Sequence, residues 1–249
     1  MRENIIVKTE SQKLNIKSGL KDGLPIGLGY LSVAFAFGVQ ASIVGVPFFM
    51  SVFISMTNLT SAGQLAGLTI IAEVGTILEM ILSQLVINAR YFLMSITLTQ
   101  KLDDSFTFKH RLLCSVFVTD EIFAVASAKP KLLTRSYFYG LVVFPYVGWT
   151  LGTLLGGVAG NLLPVELTNA LGIALYAMFI AIIIPPSITV KGVLPTVLIG
   201  ALISSIIYYL PFFDGVSTGI AVIISALISA LIMALISPVK EQTDGGENQ

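Results

Sequence analysis

Between Tyr137 and Ser237 only three residues carry a formal charge, Glu166, Lys191 and Asp214, and no polar face recurs among the leucines, isoleucines, valines and glycines. A helix that is apolar all round must be buried in a large core or in lipid, and 249 residues are too few to wrap several such helices in amphipathic ones. The bilayer is therefore the solvent in which this chain is to be understood. Spanning backbone in lipid must satisfy its own polar groups, which points to an all-α integral membrane protein. Charged residues make up 11% of the chain, against roughly 25% in an average soluble domain.

Residues 24 to 237 leave room for about eight membrane segments of ~20 residues with short turns, and for no soluble domain. Apolar runs place them at about 24–45, 47–72, 73–100, 111–128, 134–160, 166–186, 191–210 and 216–237. The remainder reads as an N-terminal tail, 1–22, a single membrane domain, 23–238, and a polar C-terminal tail, 239–249. The first apolar run starts too late and is too long for a cleaved signal, so it is expected to remain as the first span.

Basic residues concentrate on the cytoplasmic side of membrane proteins. Eight full crossings violate that rule, because the loop with Lys101, Lys109 and Arg111 then lies opposite the basic N-terminus. The conflict disappears if 47–72 and 111–128 dip into the membrane from opposite faces and return. Thirteen of the fourteen basic residues then share the cytoplasmic side with both termini, and Arg90 is the exception. Each of these segments is interrupted by polar residues, at Thr57-Asn58-Leu59-Thr60-Ser61-Ala62-Gly63-Gln64 and at Thr119-Asp120-Glu121. Paired broken helices entering from opposite faces are a common way to build a midplane site. The expectation is about six transmembrane helices plus two re-entrant hairpins, with seven or eight full spans as the alternative.

Within a helix over 73–100, Glu73, Gln84, Asn88, Tyr91 and Ser95 fall on one stripe, and Glu79, Ser83 and Arg90 on a second. A charge at the bilayer centre costs ~2.5–3.5 kcal/mol on insertion scales, so Glu79, Arg90, Asp120 and Glu121 must face one another, a partner or water. One reading is a permanent ion pair from Arg90 to Asp120 or Glu121. The other lets the acids take a proton or an ammonium group while Arg90 takes a carboxylate. Desolvation favours the neutral form of a carboxyl, which makes Asp120, Glu121 and Glu79 the candidates for proton coupling. Gly148, Gly152, Gly156 and Gly160 recur every four residues and form a small-residue packing stripe, either within this chain or for a second membrane subunit. Pro145 predicts a kink.

Other chemistry is thin. The lone His110 lies in a basic stretch and reads as solvated, so neither a His-based nucleophile system nor a metal cluster is expected. The single Cys114 reads as a small buried hydrophobe. No phosphate-binding loop is present, no cofactor is called for, and zero net charge suggests no nucleic-acid partner.

Gly23-Leu24-Pro25-Ile26-Gly27, Phe37-Gly38, Gln64, Asn88-Ala89-Arg90-Tyr91 and Thr119-Asp120-Glu121-Ile122-Phe123-Ala124 together resemble the AzlC family, the large subunits of branched-chain amino acid exporters. The resemblance covers roughly residues 20–185 and is looser over Tyr146-Val147-Gly148-Trp149 and Leu171–Phe179. Two departures stand out: Gly63 directly precedes Gln64, where the family commonly spaces them differently, and Ala174 stands near where many members carry an aspartate. The resemblance implies an exporter of hydrophobic amino acids in a prokaryotic cytoplasmic membrane, with a small AzlD-like membrane subunit. A zwitterionic substrate needs donors and acceptors, and Gln64, Asn88 and Arg90 facing Thr119, Asp120 and Glu121 would supply both, in exchange for a proton. Transport of another small solute or ion, a non-transporting assembly subunit and an intramembrane enzyme are the alternatives.

Overall fold

The computed structural model describes residues 14–160 and 162–237; most of the N-terminal tail and all of the C-terminal tail lie outside them. The described residues form ten α-helices: α1 (Ile16–Ile43), α2 (Phe48–Thr57), α3 (Ser61–Ala72), α4 (Ile77–Thr99), α5 (Phe108–Ser115), α6 (Asp120–Ser127), α7 (Arg135–Ala159), α8 (Val165–Thr189), α9 (Val193–Tyr209) and α10 (Thr218–Ile236). Among the described residues, four helices, α1, α4, α7 and α10, are long and apolar enough to cross a membrane, while α2, α3 and α9 are shorter apolar helices. The side chain of Ala174 is not among those described. The described residues fall into two compact units, one within Met1–Leu68 and Ile87–Tyr176, the other within Thr69–Val86 and Ala177–Gln249.

The first unit is built on α1 against α7. Gly19, Gly23, Gly27 and Gly38 of α1 alternate with Gly140, Gly148, Gly152 and Gly156 of α7, and a Cβ on any of them would fall within 3.0 Å of the facing backbone. Gly148 faces the carbonyl of Gly27, Gly152 that of Leu31 and Gly156 that of Phe35. Two helices with no side chains between them bring their backbones into contact, and in lipid that dispersion contact drives association. The stripe therefore serves packing within this chain. Gly160 continues it against Ser42, and Gly157 opens the neighbouring face of α7 to Phe48 and Ser51 of α2.

Helix α1 starts at Ile16, ahead of the apolar run, because Asn15 forms a reciprocal capping box with Ser18. This places Asp22 on the helix, where it pairs with Lys129 Nζ at 2.7 Å and accepts a hydrogen bond from Tyr137 Oη at 2.8 Å. Cys114 is buried in the apolar cluster around Tyr137 and Phe138. His110 stands on α5 rather than free in a loop, with Nδ1 2.6 Å from Tyr139 Oη and Nε2 2.8 Å from Arg135 Nη1.

Both sequence interruptions are helix breaks. Residues 58–60 separate α2 from α3, and 116–119 separate α5 from α6. Helices α5 and α6 have eight residues each, about 12 Å apiece at ~1.5 Å per residue, too short to cross a hydrocarbon core of ~30 Å singly. Their outer ends meet: Asp103 N donates to Leu133 O at 3.0 Å and Leu133 N donates to Lys101 O at 2.7 Å. Segment 104–132 is therefore a hairpin that returns to where it began.

The expected helix over 73–100 starts later, at Ile77, so Glu73 does not share a stripe with Gln84, Asn88 and Tyr91. Helix α3 ends in a Schellman turn, with Gly75 N bonded to Ile70 O at 2.8 Å and Val74 N to Ile71 O at 3.2 Å. Val74 takes the left-handed conformation at φ 54°, where glycine is usual. In the second unit, α9 and α10 pack through Gly200 against Ser229.

Two outcomes follow. Gly156→Ala should lower the melting temperature in detergent by several degrees, as overpacking costs about 1–3 kcal/mol, whereas Gly29→Ala, with nothing within 4 Å, should leave it unchanged. Cysteines introduced at 103 and 132 should react with an impermeant thiol reagent from the same side of the membrane; labelling from opposite sides contradicts the hairpin.

Candidate functional site

Each broken helix restarts on a threonine. The Thr60 hydroxyl accepts from Gly63 N at 3.3 Å to open α3, and the Thr119 hydroxyl accepts from Ile122 N at 3.4 Å to open α6. Each threonine also meets a tyrosine. Tyr91 Oη donates to Thr60 Oγ1 at 3.3 Å, and Tyr30 Oη lies 2.7 Å from Thr119 Oγ1. Beside each tyrosine stands a charge: Arg90 Nη2 donates to Tyr91 Oη at 3.3 Å, and Tyr30 Oη is 2.5 Å from Glu121 Oε2. Arg90 Nη2 and Asp120 Oδ2, 2.9 Å apart, link the two halves. The result is one polar circuit in the first unit, drawn from α1, α4 and both breaks.

The two acids of α6 are not equivalent. Asp120 faces a guanidinium, which keeps its charge at any accessible pH. Among the described residues Glu121 meets only a neutral phenol. A single phenol proton serves one acceptor at a time, so when Tyr30 donates to Glu121 the Thr119 hydroxyl can donate to Tyr30. Both acids lie in the first turn of α6, where the helix dipole favours negative charge.

Gln64 is 3% exposed, one turn into α3, and its Nε2 donates to Ser55 Oγ at 2.9 Å, while Ser55 Oγ and Thr153 Oγ1 lie 2.7 Å apart. Asn88 is half-buried on α4. Between the breaks sits an aromatic cluster: Trp149 stands edge-on to Tyr30 at 5.1 Å with Leu59 beside them, Phe117 stands edge-on to Tyr146 at 5.5 Å, and Tyr146 Oη donates to Met56 O at 3.2 Å.

Glu79 belongs to the second unit. It is buried, and its Oε1 accepts from Ser217 Oγ at 2.5 Å and Gly219 N at 3.1 Å, at the start of α10. Glu73 accepts from Thr218 Oγ1 at 2.5 Å and Thr218 N at 3.3 Å. Two carboxylates thus cap one helix N-terminus. Gly219 permits this approach, since a Cβ there would strike Glu79. Among the described residues no group of three or more His, Cys, Asp or Glu is suited to hold a metal ion.

Sequence reasoning missed Tyr30, Ser55, Trp149 and Thr153. The spacing of Ser51 and Ser55 by one turn, both fully buried, was the available signal for α2. Tyr30 offered none, being one aromatic residue in an apolar span.

The family model described as AzlC protein matches residues 25–163, more than half of the chain. The chain belongs to the AzlC family. Residues 25–163 of this AzlC protein contain the whole polar circuit. It is 29% identical over 177 residues to an Archaeoglobus fulgidus protein described as an uncharacterized membrane protein, covering 70% of this chain and 77% of the relative. It is also 29% identical over 175 residues to the inner membrane protein YgaZ of Escherichia coli K12, covering 67% and 71% respectively. No solved structure matches the chain. The apolar helices and these relatives make it a membrane protein of a family generally linked to transport.

The ion pair generates its own outcome. Removing one partner strands the other charge, so Arg90→Met and Asp120→Leu should each destabilise the protein more than the double variant does. A thermal-unfolding cycle should give a coupling of about 0.5–2 kcal/mol; additive effects would show that the pair contributes nothing.

Proposed function

We propose that this protein is the larger membrane subunit of an exporter for branched-chain or similar hydrophobic amino acids, driven by proton antiport and assembled with a small AzlD-like subunit. It sits in the cytoplasmic membrane with both termini inside. The observation that carries the reading is the contrast between Asp120, held by Arg90, and Glu121, partnered by the neutral Tyr30. A carboxylate in lipid without a cation is costly. It gains by taking either a proton or the ammonium group of an amino acid. Two ligands that compete for one carboxylate are exchanged, which is the logic of antiport.

In this scheme Glu121 is the exchange group, and Asp120 with Arg90 holds the two breaks in register. Arg90 Nη2 serves Asp120 and Tyr91, which leaves its other donors for the substrate carboxylate. Asn88 and Gln64 add polar contacts, Thr119 orients Tyr30, and Glu79 secures the start of α10. The aromatic cluster between the breaks supplies apolar surface for the side chain. Burying a leucine-sized group contributes ~1.5–3 kcal/mol.

Counterflow of labelled leucine, valine and methionine in reconstituted vesicles, with and without the co-expressed small subunit, tests this. Wild-type protein should exchange label, and Glu121→Gln should reduce exchange at least about tenfold, the cost of one hydrogen bond to a charged group. Protons compete with the ammonium for the site in an antiporter, so the apparent KM should rise as the pH on the loading side falls. Exchange by Glu121→Gln at the wild-type rate would remove Glu121 from the mechanism.

A further inference from the structure

Two buried polar atoms beside the α2–α3 break have no hydrogen-bond partner among the described residues: Gln64 Oε1 and Trp149 Nε1. Both residues are 3% exposed. Nearly all buried polar atoms in folded proteins are paired, so an unpaired acceptor and an unpaired donor at the same break require a reason. The amide orientation does not supply one. With Nε2 on Ser55 the oxygen has no partner, and in the reversed amide the oxygen takes Ser55 and the whole NH2 group has none, so either orientation leaves one polar atom of Gln64 unpartnered.

The two residues are linked through α7. Gln64 bonds Ser55, Ser55 bonds Thr153, and Thr153 lies one helical turn from Trp149. Trp149 packs on Leu59, which lies in the break itself, and on Tyr30, whose hydroxyl reaches Glu121. The indole N–H is a donor with no acceptor, and the amide oxygen is an acceptor with no donor. A zwitterion presents the complement of both.

We propose that Trp149 and Gln64 are specificity-determining residues for the transported amino acid: the Trp149 indole N–H donates to its carboxylate, and Gln64 Oε1 accepts from its ammonium. This rests on the transport reading above, adds the Trp149 contact to it and names the atom of Gln64 that binds and the substrate group it meets. The carboxylate is shared between Trp149 and Arg90, and the ammonium between Gln64 and Glu121. The faces of Tyr30 and Leu59 receive the apolar side chain. A solute lacking either charged end leaves one of these buried atoms unpaired, so the site binds simple amines and simple fatty acids of the same shape more weakly than the amino acid.

The experiment uses the chain with its small subunit in vesicles and compares leucine with 3-methylbutylamine, which lacks the carboxylate, and 4-methylpentanoate, which lacks the ammonium, as inhibitors of leucine exchange. Trp149→Phe keeps the ring and removes the N–H. It should raise the leucine concentration for half-inhibition about tenfold and leave that for 3-methylbutylamine unchanged. Gln64→Met should do the same for leucine while sparing 4-methylpentanoate. Equal weakening of all three compounds, or of none, overturns the assignment while leaving the transport reading intact; a wild-type protein that exchanges no leucine ends both.

A second measurement needs no variant, because Trp149 is the one tryptophan in the chain. Leucine should change its fluorescence saturably in detergent-solubilised protein, and 3-methylbutylamine at the same concentrations should not. Identical responses to the two compounds would overturn the role given to the indole.

Discussion

The rest of the first unit hangs on backbone lying against backbone where α1 meets α7. Lipid tails are as apolar as leucine, so burying leucine between two helices in a bilayer gains little. Glycine gains by removing the side chain that would hold two helices apart, and here it does so on both partners, from Gly19 against Tyr137 to Gly156 against Phe35. The contact fixes the rotation of each helix, since only one face of each carries the glycines. Tyr30 of α1 and Trp149 of α7 are thereby brought edge to face, and Thr153 is turned toward Ser55 of α2.

Around that pair the chain handles its intramembrane charges in three different ways. Arg90 and Asp120 neutralise each other and tie α4 to the break before α6. Glu79 and Glu73 in the second unit are absorbed by the open N–H groups and hydroxyls at the start of α10, where the helix supplies partial positive charge. Among the described residues Glu121 meets only a phenol. A structural role for an acid in lipid calls for a cation or a helix end, and among the described residues Glu121 meets neither beyond its own helix. Functional chemistry in membranes tends to reside in groups left in that condition.

Much of this was legible. The order Thr-Asn-Leu-Thr-Ser-Ala-Gly and the triplet Thr-Asp-Glu interrupt otherwise apolar runs, and polar residues at membrane depth advertise backbone that needs capping. The breaks fall there because Thr60 and Thr119 are good N-caps. The glycine stripe was equally plain, though its partner was not: Gly148 to Gly160 fit a neighbouring subunit as well as they fit α1 until the matching glycines of α1 were set against them. The start of α4 was misplaced because Val74 occupies a left-handed position that composition assigns to glycine or asparagine, so nothing in the local sequence warned that α3 would end before Glu73.

What the sequence determined alone was the solvent, the all-helical class, the places where helices must stop and the charges that must be neutralised. These are properties of short windows: hydropathy, capping chemistry and the cost of an ion in hydrocarbon. Which charge meets which partner was decided only by the tertiary structure. Asp120 and Glu121 are adjacent in the chain and nearly identical in chemistry, yet the ~100° step between neighbouring residues of α6 sends them to an arginine 30 residues before and a tyrosine 91 residues before. Pairing at that separation depends on helix rotation and axial register, which the α1–α7 glycine contact sets and no local pattern encodes.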